Sequence, residues 1–495
     1  MQCCTFKDVK YGEQLKSKKL FADASIYFVL NQVMGFSGII TMPLIIAKLS
    51  LSEYGVFKLA QTNAEILIYI IGLGLPYAPL RFIAGEKNKG IIGKIYFTSL
   101  AVVTGVFIIV SMIGTLFQEA LVPLIFGVSG YSELLYLVIA FAFLNSVYIL
   151  LFNEYRLESK NTTYTILDFF RNVLFTFGAI LILILIPSIY SIYILYCVVL
   201  ILFITIVAVR ILKKYPVRVS FDTLTRSMIR YGLQIVLLNL SSLVINSFNR
   251  YFLSNQVNAE AVGIFSANAI LPAFILSASQ ALFFIYDPIF NKLWNEQKFD
   301  DLKYLIKKVS NTQLFFVVPM TFGVTAISSD FFMLIADKKI AESSQITVPF
   351  LAFSYAVNLY ISYRGMIFMY LRRPILQLVS SGITALLSAL LNYFCIRAYG
   401  LLGAGIASVT SVIIWYLITH VISNKYFKFS FDYFFLAKTV GSSIIMMFIV
   451  VALVHADWVS LLLSIVAGGI SYGIAWFFIG KIGFDQRKFW QYEMV

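Results

Sequence analysis

Apolar runs recur from about residue 20 to about residue 480, each followed by a short polar stretch. A helix needs about 20 residues to cross roughly 30 Å of hydrocarbon. The pattern predicts fourteen spans, at 20–47, 59–80, 95–117, 132–152, 163–187, 189–211, 231–253, 263–290, 310–335, 346–370, 374–396, 401–423, 432–455 and 458–480. The fifth and sixth meet at Pro187-Ser188. A helix continuing through that junction would be too long for one span, so a tight turn is expected there. The chain thus reads as an all-α integral membrane protein.

Lys and Arg then fall on alternate loops. One side collects Lys7 to Lys19, Arg81 to Lys94, Arg156 and Lys160, the run Arg210 to Arg230, Lys292 to Lys308, Arg372 and Arg373, Lys425 and Lys428, and Lys481 to Lys488. The other side has only Lys48, Lys58, Lys338, Lys339 and Arg397 in or beside its loops. The positive-inside rule places the first side, and both termini, in the cytoplasm.

Composition sharpens this picture. The chain is 60% hydrophobic and 13% charged, where a soluble domain carries roughly 25% charged residues. A net charge of +14 marks orientation and attraction to anionic lipid heads, and gives no reason to expect nucleic acid. Cys3, Cys4, Cys197 and Cys395 show no metal or disulfide spacing, and His420 and His455 lie far apart, so no cofactor or metal is expected. No Gly-x-x-x-x-Gly-Lys-Ser/Thr phosphate loop is present, which disfavours direct ATP hydrolysis. No loop is long enough for a catalytic domain.

A faint repeat runs through the chain. Leu51-Ser52-Glu53-Tyr54-Gly55-Val56-Phe57 follows the first span and Ala259-Glu260-Ala261-Val262-Gly263-Ile264-Phe265 follows the seventh. Asn31 precedes Gly55, and Asn239 precedes Gly263, by the same interval, and the copies stand 208 residues apart. An even number of spans separates them, which predicts parallel halves about an axis along the membrane normal. The expected organisation is a six-helix bundle over 1–211, a cytoplasmic linker over 212–230, a second six-helix bundle over 231–423, and two further helices with a tail over 424–495.

These residues carry a resemblance over nearly the whole chain. The most recognisable pieces are Leu49 to Phe57, Gly72-Leu73-Gly74-Leu75 leading to Arg81-Phe82, Asn249-Arg250-Tyr251-Phe252-Leu253, Glu260 to Asn268, and Asn392-Tyr393-Phe394 before Tyr399 to Ser408. Together they resemble the Wzx-like polysaccharide flippases of the multidrug/oligosaccharidyl-lipid/polysaccharide exporter superfamily. The resemblance implies two pseudo-symmetric six-helix bundles around a cavity, plus two carboxyl-terminal helices. It also implies movement of polyprenyl-diphosphate-linked oligosaccharide from the cytoplasmic to the outer leaflet of a bacterial inner membrane, for surface-polysaccharide assembly. The implied partners are that lipid-linked sugar, membrane lipids, and a polysaccharide polymerase and chain-length regulator. Where related sequences often carry Asp before the seventh-span Arg, this chain has Asn249, which holds no titratable proton.

Such a substrate needs a cationic, hydrogen-bonding lumen, because diphosphate and sugar hydroxyls are costly to desolvate. An isolated charge at the bilayer centre costs about 2.5 to 3.5 kcal/mol even on the lenient insertion scale, so ionisable residues in spans are site candidates. Arg250, with Asn246 and Asn249, Arg364 and Arg171 are the candidate head-group ligands, with Asn31 and Gln32 deeper in the first span. Arginine stays protonated and offers a planar donor fork. Arg250 can instead snorkel to the outer interface, and Arg171 can form a structural pair with Asp168, three residues earlier. Glu65, Asp168 and Asp287 are candidates for ion coupling; Asp287-Pro288 also reads as the end of the eighth span, and Glu65 as an outer-interface residue. Two other functions compete. A drug antiporter of the same superfamily would favour carboxylates and aromatics over added cations, and a membrane-embedded glycosyltransferase or polymerase would need a substantial polar loop.

Overall fold

The computed structural model describes residues 37–481 apart from residues 84 and 159. Every regular element among them is helical. Ten helices are long and apolar enough to cross a membrane, or up to twelve if each of two bent pairs counts as one span. Of the first expected span, the described part is helix Ser37–Lys48; Asn31 and Gln32 lie outside the described residues. Many large apolar side chains point outward, among them Leu116, Leu185, Leu386, Phe448 and Val459. Water would penalise that surface and lipid does not. Small polar residues such as Ser146, Ser310, Ser344 and Ser443 lie buried between helices, where they allow close approach.

The chain is a multi-pass, all-helical membrane protein. Its contacts divide it into two units, Met1–Ala267 with Arg373–Trp415, and Asn268–Arg372 with Tyr416–Val495.

Several helices start before the apolar pattern does. Helix Leu51–Gly72 begins at residue 51 rather than 59, because Ser50 and Glu53 form a capping box. The Ser50 hydroxyl accepts from Glu53 N at 3.1 Å, and Ser50 N donates to the Glu53 carboxylate at 2.9 Å. This satisfies two orphan groups of the first turn. Lys58 therefore sits two turns inside the helix. In the second copy of the repeat, Asn258 accepts from Ala261 N at 2.8 Å and helix Ala259–Asn268 starts behind it.

The two copies also touch. A Cβ on Gly55 would stand 1.9 Å from the Ala259 carbonyl oxygen, and one on Gly263 would stand 2.3 Å from the Leu51 carbonyl oxygen. Ala259 and Gly263 are the repeat equivalents of Leu51 and Gly55, so the contact is reciprocal, as a local two-fold requires.

Breaks in the helices have local causes. Leu51–Gly72 bends by 67° into the segment Leu75–Phe82. Leu73 and Gly74 take positive φ of 46° and 67°, and Pro76 cannot continue the ladder. Asn153 Nδ2 donates to the Pro76 carbonyl at 2.8 Å and Ser146 to that of Ile68 at 3.1 Å, supplying partners that lipid would not. The turn at Pro187-Ser188 is present, with Ser188 capping helix Ile189–Lys214.

Helix Pro374–Asn424 would be about 77 Å long if straight, but Gly400 leaves helical geometry at φ 57° and ψ −126°. A Cβ on Gly403 would stand 1.9 Å from the Cys395 carbonyl oxygen, whereas a straight helix would separate these residues by about 12 Å. The chain therefore turns back there.

Two expectations about loops are corrected. Helix Thr223–Ser247 starts at 223 rather than 231, because the Asp222 carboxylate accepts from Leu224 N at 3.1 Å and Thr225 N at 3.2 Å. The linker expected over 212–230 is thus non-helical only over residues 215–222. That strap lies along helix Lys89–Leu116, where Ser220 N donates to Thr98 at 3.2 Å and Lys94 pairs with Asp222. Asp287-Pro288 does not end its helix, since Ile270–Asn295 runs through Pro288. Most of the expected loop at 291–309 is helical, with Phe299–Ile335 starting at 299.

Candidate functional site

Helix Leu51–Gly72 projects Tyr54, Lys58, Gln61 and Glu65 at spacings of four, three and four residues, which place them on one face. A cavity of about 170 Å³ lies beside this face, lined by Tyr54, Lys58, Gln61, Thr41, Thr176 and Tyr196 among others. Lys58 Nζ donates to Gln61 Oε1 at 3.0 Å and lies 5.3 Å from the Tyr54 ring centre. The Tyr54 hydroxyl is buried and has no hydrogen-bond partner among the described residues.

Arg250 comes to the same helix from Asn249–Gln256. Its Nη1 donates to Thr62 Oγ1 at 2.7 Å. Next to it Tyr251 donates to Asn63 Oδ1 at 2.7 Å, and Asn63 Nδ2 donates to the Leu59 carbonyl at 2.7 Å. These bonds tie Arg250 and Tyr251 to helix Leu51–Gly72, and the Arg250 guanidinium makes no other side-chain hydrogen bond among the described residues. Lys58 and Glu65 both lie within electrostatic range of Arg250. The cluster brings two basic side chains and one carboxyl group together in a largely apolar setting.

The other expected ligands separate from this cluster. Asn249 is buried, donates to Ser408 at 3.4 Å, and keeps its Oδ1 without a partner among the described residues. Asn246 is exposed and donates to its own helix at Ser242; between it and Arg250, Phe248 keeps helical dihedral angles of −71° and −19°.

Arg171 pairs with Asp168 at 2.9 Å and lies 4.4 Å from the Tyr148 ring centre, while Tyr148 donates to Asp168 at 2.9 Å. That set is internally satisfied apart from the Arg171 Nε. Asp287 accepts from Tyr370 at 2.7 Å.

Arg364, in the other unit, is 1% exposed. It donates to Asn424 Oδ1 at 2.6 Å and to the Phe429 carbonyl at 2.9 Å, and stacks 4.0 Å from the Phe429 ring centre. Around it Phe290, Tyr363, Phe427 and Phe431 form an apolar core. Arg364 ties the segment after Asn424 to the helix Lys338–Tyr370.

The sequence reading placed Lys58 in a loop and passed over Tyr54 and Gln61. The signal that could have found them is Ser50-x-x-Glu53, which starts the helix early and puts all three on the face of Glu65.

A second charged cluster lies at the far end of the unit. Glu154 is buried and accepts from Tyr96 at 2.8 Å, Lys214 at 2.6 Å and Tyr215 at 2.8 Å. Glu158 takes Lys214, Lys160 and Arg210. Partial burial alone would raise the Glu158 carboxyl, but these three donors hold it down at about 2. This cluster joins helix ends, and each of its carboxylates and cations is engaged in an ion pair.

Long apolar helices with bent spans define a multi-pass, all-helical membrane fold among the described residues. The chain matches the "Polysaccharide biosynthesis protein" family over residues 20–293, more than half its length, and it belongs to that family. No curated protein matches its sequence. In fold it is similar to the lipid II flippase MurJ in an inward closed conformation, with a TM-score of 0.75 and 13% identity, covering 92% of this chain and 99% of that one. It is also similar to an inward-facing multidrug resistance MATE family transporter of the MOP superfamily, with a TM-score of 0.58, 14% identity, and coverage of 81% and 94%. A MOP superfamily transporter from Pyrococcus furiosus, described as having a binding pocket of reverse polarity, gives 0.56, 15%, 82% and 95%.

Proposed function

We propose that this chain carries polyprenyl-diphosphate-linked oligosaccharide from the cytoplasmic to the outer leaflet of a bacterial inner membrane, without hydrolysing a nucleotide. The observation that carries this reading is Arg250 with Lys58: two basic side chains held in a membrane-spanning unit, Arg250 giving one donor to Thr62 and Lys58 lining a cavity. An anionic head group would be met there by charge-assisted hydrogen bonds. Membership in a polysaccharide biosynthesis family and likeness to a lipid flippase support the same reading.

In this reading fourteen spans include the first one, and the helices on either side of Gly400 count separately. Residues 1–211 and 231–423 form the two repeats, 424–495 the added pair and tail, and both termini are cytoplasmic. Arg250, Lys58 and Asn249 contact the head group. Glu65 is the carboxylate placed to couple an ion. Arg364 and Arg171 hold the structure together.

A drug-cation antiporter is the second reading, favoured by the MATE-like fold. The excess of cations over carboxylates around Arg250 opposes it. Reconstitution of the purified chain, offered lipid-linked oligosaccharide, a drug cation such as ethidium, or a nucleotide sugar, separates the functions. Transfer of the lipid-linked sugar alone is expected. Ethidium exchange without sugar transfer would overturn the proposal, as would turnover of the nucleotide sugar.

A further inference from the structure

Helix Thr223–Ser247 has two unlike faces. Thr225, Met228, Gly232 and Val236 are buried; Gly232 packs so closely on the bend that a Cβ there would stand 2.1 Å from the Leu73 carbonyl oxygen. The opposite face carries Arg226, Arg230, Leu233 and Leu237, all exposed. Their spacing of four, three and four residues sets them in one row. Arg226 and Arg230 are in the first two turns, and the leucines follow toward the middle of the helix. At 1.5 Å per residue, Leu237 lies about 10 Å beyond Arg230.

A cleft of about 590 Å³ opens beside the cationic end, lined by Phe221, Asp222, Thr225, Arg226, Arg230 and Leu233 among others. Neither the Arg226 nor the Arg230 side chain has a hydrogen bond or ion pair among the described residues, so both donor forks are available. Asp222 would repel an anion, but Lys94 pairs with it and Leu224 N and Thr225 N occupy its other oxygen. The cleft is therefore cationic in effect. A snorkelling arginine needs only water at its tip, and it does not need a cleft with an apolar row leading away from it.

We propose that this cleft is a docking station for the diphosphate of a single-tailed isoprenoid lipid on the face of the membrane opposite Arg250. Arg226 and Arg230 take the two phosphates, and Leu233 and Leu237 run beside the tail. One file of leucines suits one tail, where a glycerophospholipid brings two. The station deepens the proposed function and rests on it for its direction. Arg230 and Arg250 are separated by twenty residues of nearly continuous helix, about 30 Å, which is the thickness of the hydrocarbon core. The chain thus has one open pair of cations at one membrane face and an open cation at the other, on the same stretch.

The test is binding of undecaprenyl diphosphate to the full-length chain in detergent, read by native mass spectrometry in an R250Q/K58M background so that the other basic site does not contribute. R226Q/R230Q is expected to weaken binding about tenfold or more, equivalent to about 1.4 kcal/mol, and R226K/R230K to recover part of it. Dioleoyl phosphatidylglycerol binding is expected to change little. Undiminished diphosphate binding by R226Q/R230Q would overturn the station. An equal loss of phosphatidylglycerol would also overturn it, making this a general anionic-lipid surface. Translocation by the wild-type chain is scored alongside. Sugar transfer with unaltered binding in R226Q/R230Q removes the station and leaves the function; selective loss of diphosphate binding by a chain that transfers no sugar supports the station and removes the function.

Discussion

Arg250 and Arg364 are both arginines inside a membrane-spanning unit, and their surroundings differ in kind. Arg364 is enclosed by Phe429, Phe431 and Tyr363, and spends two donors on Asn424 and the Phe429 carbonyl. Arg250 is partly exposed and gives one donor to Thr62, beside Lys58, Glu65 and a cavity. A buried cation whose partners come from its own chain is part of the framework, because removing it strands those partners. A cation with spare donors is placed for something that arrives from outside.

The largest expected effect tests the framework side. Arg364→Ala leaves a buried amide oxygen and a buried carbonyl without a donor and opens a cavity, and should lower stability by about 3 to 5 kcal/mol. A lower melting temperature in detergent and poor membrane yield would register it. Melting at the wild-type temperature would remove the distinction.

Gly55→Ala acts on the backing of the Arg250 helix. Its new methyl would meet the Ala259 carbonyl oxygen at 1.9 Å, and both backbones must separate at a cost of about 3 kcal/mol. Gly263→Ala should behave alike, since the contact is reciprocal; unequal effects of the two would deny the local two-fold.

Arg250→Ala should change stability by about 1 kcal/mol or less while transport falls at least about tenfold. Melting and initial rates on the same preparation check both halves. Lys58→Met should reduce transport in the same direction by a smaller factor, because Lys58 already spends a donor on Gln61.

The smallest effect concerns the ion-paired cluster at Glu158. Its carboxyl is held at about 2 against an ordinary 4.5. The stabilisation is complete above pH 4.5 and fades as pH falls toward 2, amounting to about 1 kcal/mol once solvent screening is allowed for. Melting curves from pH 6 to pH 3 should slope downward for the wild type and less so for Glu158→Gln.

The succession of apolar runs, the turn at Pro187-Ser188 and the reversal near Gly400 were legible in the sequence, because each follows from hydropathy and from residues that interrupt helices. Helix starts were not. Ser50, Asp222 and Asn258 cap helices whose first turns carry Glu53, Lys58, Arg226 or Glu260, and averaging hydropathy over a window discards those turns.

That error moved Lys58 out of its span and hid the face it shares with Tyr54, Gln61 and Glu65. Arg250 and Glu65 could be flagged by composition alone. The fate of Arg364 could not, since its partners Asn424 and Phe429 stand some sixty residues later in the chain and no local pattern brings them together. Asp168 was the exception: three residues before Arg171 on a helix, it announced its own ion pair.

The most direct measurement is the initial rate at which undecaprenyl-diphosphate-linked oligosaccharide crosses proteoliposomes holding wild type, Arg250→Ala or Arg250→Lys at matched protein content. The account predicts sugar transfer by wild type, a rate at least about tenfold lower for Arg250→Ala, and an intermediate rate for Arg250→Lys. Equal rates for all three would contradict it.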